Sequence, residues 1–157
     1  MKNSCPIIVL LSLSVLWGCA TARMYPVKGP LAAQTPPPVY SAKLSAVFDS
    51  GTFSAQLANG ERFKGTVSPV LGTARKSHSL AAEWDSVYGV GYFANKVLDA
   101  QYYLRGTVTG SNGTVLQVEM YKNDSRPALA APHDQSVIID MNGVAKDSNG
   151  NVYKLVF

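Results

Sequence analysis

The sequence is poor in the residues that hold metals and form disulfides, with two cysteines and two histidines in 157 residues. Neither His78 nor His133 has a second histidine or a cysteine at the spacing of a metal site. Its 14 basic residues outnumber its 10 acidic ones, but they are scattered along the chain, so we expect no nucleic-acid partner. No apolar run reaches the roughly 20 residues that a transmembrane helix requires.

The motifs of common catalytic sites are also missing. The chain has no Gly-x-Ser-x-Gly turn, and the neighbours His133 and Asp134 would point apart in an extended loop. Glu83 and Asp85 would diverge on a helix. Gly89-Val90-Gly91 lacks the third glycine of a dinucleotide-binding loop. The sequence therefore predicts no catalytic residues, no cofactor and no metal.

What is present begins with an export signal. Lys2 supplies a basic start, and an apolar run from Pro6 to Leu16 follows, broken only by Ser12 and Ser14. The run is too short to cross a bilayer and ends in Trp17-Gly18-Cys19, where a signal peptidase would find a small residue. Residues 1–18 are therefore predicted to be a signal peptide.

The end of this signal resembles the lipobox of small bacterial lipoproteins of the proteobacterial type. Leu16, Gly18 and Cys19 match the motif, whereas Trp17 stands where a small or β-branched residue is usual. The resemblance implies that the chain is cleaved before Cys19 and that its thiol and new amine are acylated. Because Ala20 follows instead of aspartate, it also implies the outer membrane, with the domain on the periplasmic or surface face. No activity comes with this resemblance.

An alternative is an ordinary cleaved signal in which the cysteine has no role. Cys5 lies in the segment that would be removed, so Cys19 would have no partner for an intramolecular disulfide in an oxidising compartment. Acylation explains such a lone thiol better, and several acyl chains would anchor the protein firmly to the membrane.

Proline is frequent in the residues that follow. Pro26, Pro30 and the triplet at positions 36–38 are separated by small and polar residues without apolar periodicity. Such a composition favours extended polyproline conformations, so residues 19–39 are predicted to be a lipidated tether and residues 40–157 the folded domain. The alternative is an arm that docks on the domain through Met24, Tyr25 and Val27.

The domain itself shows period-two alternation interrupted by turn sequences such as Asn59-Gly60, for which we expect a type I′ hairpin. This alternation predicts seven strands, with an eighth possible over Val90 to Leu98. Ser79 to Tyr88 favours a helix, capped by Ser79 and ended by Gly89. The predicted fold is mainly β, an antiparallel seven- or eight-stranded small barrel or sandwich with one short helix.

Aromatic residues crowd one stretch of the domain. We expect Trp84 and one of Tyr102 and Tyr103 in the core, with the other tyrosine exposed, since neighbours on a strand face opposite sides. Tyrosine offers a large, rigid contact area with a polar tip. The candidate partner-binding residues are therefore Tyr88, Tyr92, Tyr102 and Tyr103.

These features predict a non-catalytic envelope module that binds a protein, glycan or lipid partner. One alternative is an integral outer-membrane β-barrel, because the carboxyl terminus from Tyr153 to Phe157 resembles the terminal signal of such barrels. Another is a cell-envelope hydrolase, provided that the fold brings distant carboxylates or His133 into one cleft.

Overall fold

The structure, a computed structural model, describes residues 19–47, 50–123 and 140–157. They form a closed antiparallel barrel in which each strand pairs with its neighbours in the chain and the last pairs with the first. The strands are β1 (Cys19–Lys28), β2 (Tyr40–Val47), β3 (Ser50–Gln56), β4 (Arg62–Pro69), β5 (Tyr103–Thr109), β6 (Val115–Lys122), β7 (Met141–Asp147) and β8 (Val152–Val156). The predicted mainly-β, antiparallel fold with one short helix is confirmed, and of the two predicted architectures it is the barrel.

Alternation along the strands fills the barrel with apolar side chains. On β2 and β3, for example, Leu44 faces Phe53 across the pair and both are fully buried. Burying a side chain of this size contributes about 1.5–3 kcal/mol to folding. The interior core is made of Ala22, Met24, Tyr40, Ala42, Leu44, Phe53, Ala55, Leu57, Phe63, Val67, Leu104, Val108, Leu116, Val118, Met120, Met141, Ala145, Tyr153 and Leu155.

The turn at Asn59-Gly60 joins β3 to β4, as predicted, but it is not of type I′. Gly60 has a φ of 83°, whereas Asn59 is not among the described non-glycine residues with positive φ. The N–H of Gly60 donates to the carbonyl of Leu57, and the N–H of Leu57 donates to the carbonyl of Glu61. This is a longer loop in which only the last turn residue needs the left-handed conformation, for which glycine is suited.

The first strand corrects the predicted domain boundary. Residues 19–28 are not a tether: β1 pairs with β2 from Cys19↔Ser45 to Met24↔Tyr40, and with β8 from Arg23↔Val156 onwards. Ala22 and Met24 lie in the interior core. Pro26 is accommodated because the β1–β8 register shifts directly after it, and proline is tolerated at such bulges. The other prolines of the predicted tether lie between β1 and β2.

The long connection between β4 and β5 carries the helical elements. A 3₁₀ turn (Gly72–Arg75), helix α1 (Ala81–Tyr88) and a π-helical turn (Phe93–Val97) follow one another. The helix and its end at Gly89 are confirmed, but its N-cap is Leu80, and Ser79 instead donates to the carbonyl of Lys76. The possible strand over Val90 to Leu98 is wrong, because these residues wind into the π-helical turn.

This connection covers part of the outer barrel wall and creates a second core there. Its residues pack on outward-facing side chains of β5, β6 and β7, namely Tyr103, Tyr121 and Val144. The sequence predicts that Val137, Ile139 and Met141 begin the sixth strand; Val137 and Ile139 lie outside the described residues, and Met141 is the first residue of β7. No helix in the described part of the chain is long and apolar enough to cross a membrane.

Candidate functional site

The predicted lipidation residue lies in a strand of the barrel wall. Cys19 is the first residue of β1, where its backbone pairs with Ser45 of β2. The predicted cleavage site lies directly before it, so cleavage would remove none of the eight described strands. An anchor at this position would hold the barrel close to the membrane surface, without the spacer that the proline content predicted.

The aromatic residues of the β4–β5 connection form a stack on the outside of the barrel. Trp84 is completely buried, and its ring stacks on Tyr88 at 5.4 Å and on Tyr92 at 6.1 Å between centroids. The rings of Tyr88 and Tyr92 stack on each other at 4.7 Å. Tyr121 of β6 meets Trp84 edge-on at 5.4 Å. Residues from the helix, the following loop and the barrel therefore share one aromatic cluster.

The tyrosine hydroxyls of this cluster are already bonded within the protein. Tyr88 Oη lies 3.3 Å from the carbonyl oxygen of Gly143 and 3.4 Å from that of Leu155. The hydroxyl of Tyr92 is hydrogen-bonded to that of Tyr121. Burial raises the pKa of both Tyr88 and Tyr92 above the usual tyrosine value. Both residues are half-buried, and their hydroxyls are occupied, so a partner would contact the part of the rings that remains exposed.

Tyr102 and Tyr103 do not join this surface. Tyr103 is 1% exposed, and the guanidinium groups of Arg75 and Arg105 lie over its ring at 5.7 and 5.4 Å. Tyr102 is half-buried against the interior core. The prediction that one of the pair belongs to the core is confirmed, and it is Tyr103. Tyr103 as a partner contact is wrong, because the β4–β5 connection covers it, and Tyr102 is less exposed than predicted.

The tip of this connection adds a residue that the aromatic pattern did not single out. Val90 is 99% exposed between Tyr88 and Tyr92. Gly89 and Gly91, with φ values of 113° and 79°, bend the chain on either side of it. Val90, Tyr88 and Tyr92 together form an apolar projection, which we call the tyrosine ledge.

A buried carboxylate joins the connection to the barrel. Glu119 on β6 accepts hydrogen bonds from the N–H of Leu80 at 2.8 Å, from Trp84 Nε1 at 2.8 Å and from Arg105 Nε at 3.0 Å. The same arginine donates through Nη1 and Nη2 to carbonyl oxygens of the 3₁₀ region, at Ser77 and Arg75. Every polar atom of this group is engaged in holding the covering segment, which indicates a structural role.

A cavity of about 530 Å³ lies at the end of the barrel where β3 meets β4 and β7 meets β8. Two carboxylates line it: Glu61, 2% exposed, and Asp147, 4% exposed. Asp147 accepts bonds from Asn151 Nδ2 at 2.8 Å and from the Tyr153 hydroxyl at 2.7 Å. Glu61 accepts from the backbone N–H and the hydroxyl of Thr114, at 3.2 and 3.0 Å. The fold thus brings to one cavity the carboxylates of Glu61 and Asp147, which are 86 positions apart in the chain.

The other candidate catalytic residues that the structure describes do not line this cavity. Glu83 pairs with Lys146, and Asp85 Oδ1 accepts a bond from the N–H of Phe93. His78 is exposed, and His133 lies outside the described residues. Within residues 19–47, 50–123 and 140–157, no group of three or more histidine, cysteine or carboxylate side chains could hold a metal ion.

One surface was missed because it exists only across strands. Arg23, Lys43, Arg62 and Lys64 appear singly in the sequence, yet all four are exposed on the outer wall of β1, β2 and β4. The strand register places Lys43 and Lys64 on either side of Ser54. The sequence offered one signal for this surface: each cation takes an outward position in its alternating strand, and hairpin pairing brings these strands side by side. We call this outer wall of β1 to β4 the basic face.

Comparison with protein-family models, with curated proteins and with solved structures finds no match for this chain. Its function is therefore argued from its own residues and geometry.

Proposed function

We propose that the chain is a lipoprotein of the bacterial outer membrane, anchored through Cys19, whose barrel binds a partner and carries out no reaction. The observation that supports this proposal is that Cys19 belongs to β1, a strand of the barrel wall that pairs with β2 and β8. The residue that would be acylated therefore lies in a barrel strand, where its backbone pairs with Ser45 of β2.

The distribution of side chains in the barrel favours a lipid anchor over a spanning barrel. A transmembrane barrel turns an apolar band outward and polar residues inward. Here the interior is apolar, and the outward positions of β2 and β4 carry serine, threonine, lysine and arginine. Ser41 and Lys43 on β2, and Arg62, Lys64 and Thr66 on β4, are all exposed. This arrangement supports a wall that faces water.

The tyrosine ledge is the surface that we propose for a protein, glycan or lipid partner of the envelope. Its rings are fixed by stacking on a buried tryptophan, and their hydroxyls are bonded internally, so little side-chain entropy is lost on contact. Val90 adds an apolar side chain that the fold leaves outside its core. Rigid aromatic residues of this kind frequently dominate binding energy.

One observation favours a second candidate function, hydrolysis of an envelope polysaccharide or lipid. Glu61 and Asp147 line the same cavity, and paired carboxylates are the groups that cleave glycosidic bonds. However, Asp147 also accepts the N–H groups of Asn149 and Asn151, each at 2.9 Å. Carboxylates occupied by structural donors are poorly placed for proton transfer, so we rank binding above catalysis. Release of dye from labelled peptidoglycan, lost in Glu61→Gln, would reverse this order.

The anchor is tested by labelling cells with a palmitate analogue and separating membrane from soluble fractions. We expect the wild type to be labelled and to sediment with the outer membrane, and Cys19→Ala to be unlabelled and released. Cys5→Ala makes the same change within the predicted signal and should behave as the wild type. A Cys19→Ala protein that remains in the membrane and withstands alkaline extraction would show an integral barrel instead.

A further inference from the structure

The cations of the barrel differ in what they contact. Where the covering connection packs, they are engaged: Arg75 donates to the carbonyls of Leu98 and Ala100, and Lys154 lies over the ring of Tyr88 at 4.8 Å. On the basic face they are not. Among the described residues, Arg23, Lys43, Arg62 and Lys64 form no ion pair and no side-chain hydrogen bond.

Nothing on the same strands balances these charges. The sequences of β1 to β4 contain no aspartate or glutamate. Glu61, at the turn before β4, is buried and directed to Thr114. The other outward residues of this wall are small and hydrogen-bonding, chiefly Ser41, Ser54, Thr52, Thr66 and Gln56. The basic face is therefore a positive surface with hydroxyl and amide groups between its charges.

The register sets the spacing of the charges. Lys43 and Lys64 both pair with Ser54, so they lie two strand spacings apart, about 10 Å. Arg23 pairs with Ser41 on the far side of β2, so the four cations span the full width of four strands, roughly 14 Å. Ser41, Lys43, Ser54, Gln56, Arg62 and Lys64 line a shallow depression of about 350 Å³. Charges spread over such a width do not converge on one small anion.

We propose that the basic face lies against the anionic phospholipid headgroups of a membrane, with the barrel on its side. An extended layer of phosphates matches a wide row of separated cations, and each such residue near an anionic bilayer contributes to adsorption. The inference rests on the proposed function for the anchor, since Cys19 stands on β1 at the edge of this face, pairing with Ser45. The lipid chains hold the protein at the membrane, and the basic face sets which wall of the barrel meets it.

The test is cosedimentation of the purified, full-length, unprocessed chain with vesicles. One set contains phosphatidylcholine alone and the other phosphatidylcholine mixed with phosphatidylglycerol, and the measured quantity is the ratio of the two affinities. The apolar N-terminal segment is present in every variant, so its contribution cancels. We expect Lys43→Gln/Lys64→Gln to lower the ratio by about 30-fold, on the basis of the typical contribution of two cations at an anionic surface.

Lys76→Gln/Lys96→Gln is the matched control, because it removes the same charge from exposed residues of the β4–β5 connection. It should keep a ratio near that of the wild type, and molar salt should abolish the preference in both. An unchanged ratio in Lys43→Gln/Lys64→Gln, or an equal loss in the control, would overturn the proposal. So would tight wild-type retention on heparin without any preference for anionic vesicles, which would assign the face to an anionic polysaccharide.

The failure of the anchor and the failure of the face are distinguishable. Cys19→Ala should keep the wild-type vesicle ratio, because the purified chain carries no lipid and the lysines are intact. If palmitate labelling fails while the ratio depends on Lys43 and Lys64, the anchor is wrong and the face stands. If labelling succeeds and the ratio does not depend on them, the anchor stands and the face is wrong.

Discussion

Trp84 of helix α1 donates its indole N–H to Glu119 of β6 at 2.8 Å, and both residues are completely buried. The bond links the covering connection to the barrel wall at the centre of the second core. Taking a carboxylate out of water is costly unless its oxygens are fully bonded. Here Arg105 and the N–H of Leu80 supply the remaining donors.

We predict that Glu119→Leu lowers the free energy of unfolding by about 3–5 kcal/mol, because it leaves Arg105 and two N–H donors without their acceptor. Urea denaturation followed by circular dichroism measures the change. Glu83→Gln is the control, since the Glu83–Lys146 pair is partly exposed and should change stability by less than about 1 kcal/mol. Equal effects of the two substitutions would contradict a structural role for Glu119.

Close contact between β4 and β5 predicts a steric effect at Gly106. A Cβ added there would overlap the carbonyl oxygen of Thr66 and lie 2.6 Å from Val67 Cγ1. Because backbone cannot yield as a flexible side chain does, Gly106→Ala should lower stability by about 1–3 kcal/mol. Thr107→Ala, at the exposed neighbouring position, should cost less than about 1 kcal/mol. Thermal unfolding of both variants is the measurement. A Gly106→Ala protein as stable as the wild type would contradict the close contact between β4 and β5 at this position.

Buried tyrosines predict a loss of stability at alkaline pH. Burial, followed by the hydrogen bond to Asp147, raises the pKa of Tyr153 above its ordinary value of 10.0. Above pH 10 the unfolded chain therefore releases a proton that the folded chain retains. The free energy of unfolding is unaffected below that pH and falls as pH rises above it, by up to about 1.4 kcal/mol per pH unit for each such tyrosine.

Tyr153→Phe should make this decline shallower by the contribution of one tyrosine, while the other buried tyrosines keep theirs. Urea titrations at a series of pH values from neutral to alkaline give the slopes. The same slope in both proteins would mean that Tyr153 ionises normally in the folded state.

The hydrogen bonds of Asp147 stabilise the β7–β8 turn. Its carboxylate accepts bonds from the N–H groups of Asn149 and Asn151, from Asn151 Nδ2 and from the Tyr153 hydroxyl. In Asp147→Asn the new NH₂ group would face hydrogen-bond donors, which should lower the free energy of unfolding by about 2–3 kcal/mol. Asn151 Oδ1 also accepts the N–H of Leu31, so amide exchange should quicken at Leu31 as well. Asn149→Ala, at an exposed position, should leave the amide exchange rate of Leu31 unchanged. Faster exchange at Leu31 in this variant would contradict the link from Asp147 to Leu31 through Asn151.

The hairpins were predictable because both of their signals are local. Alternation and turn residues fall within a few positions of each other in β2, β3, β4, β5, β6 and β8. Strand β1 was not predicted because Met24 is the only large apolar residue among its inward positions Ala22, Met24 and Pro26, and further prolines follow the strand. The strand becomes apparent only from its pairing with β2 and β8, which lie farther along the chain.

Burial outside the barrel was not predictable from the same signals. Glu119 occupies an outward position on β6, where alternation predicts exposure, yet the β4–β5 connection covers it. The same cover hides Tyr103 and brings Tyr121 to Trp84. The path of a 33-residue connection, from 70 to 102, has no period that a sequence pattern could reveal. The proximity of Tyr88 to Trp84 was predictable because residues four positions apart lie on the same face of a helix. That of Tyr92 was not, because it follows the end of the helix and the bends at Gly89 and Gly91.

The pairing of β1 with β8 determines when the barrel can close. In a chain that is synthesised amino end first, β1 emerges from the ribosome before the other described strands, and β8 emerges after them. One edge of β1 therefore stays unpaired while almost the whole domain is delivered, and an unpaired edge is a template for pairing with other chains. Completion of folding must wait for the most distant contact in the sequence, the kind that forms slowest. Any molecule that shields this edge in the growing chain would lose its site when β8 pairs with β1.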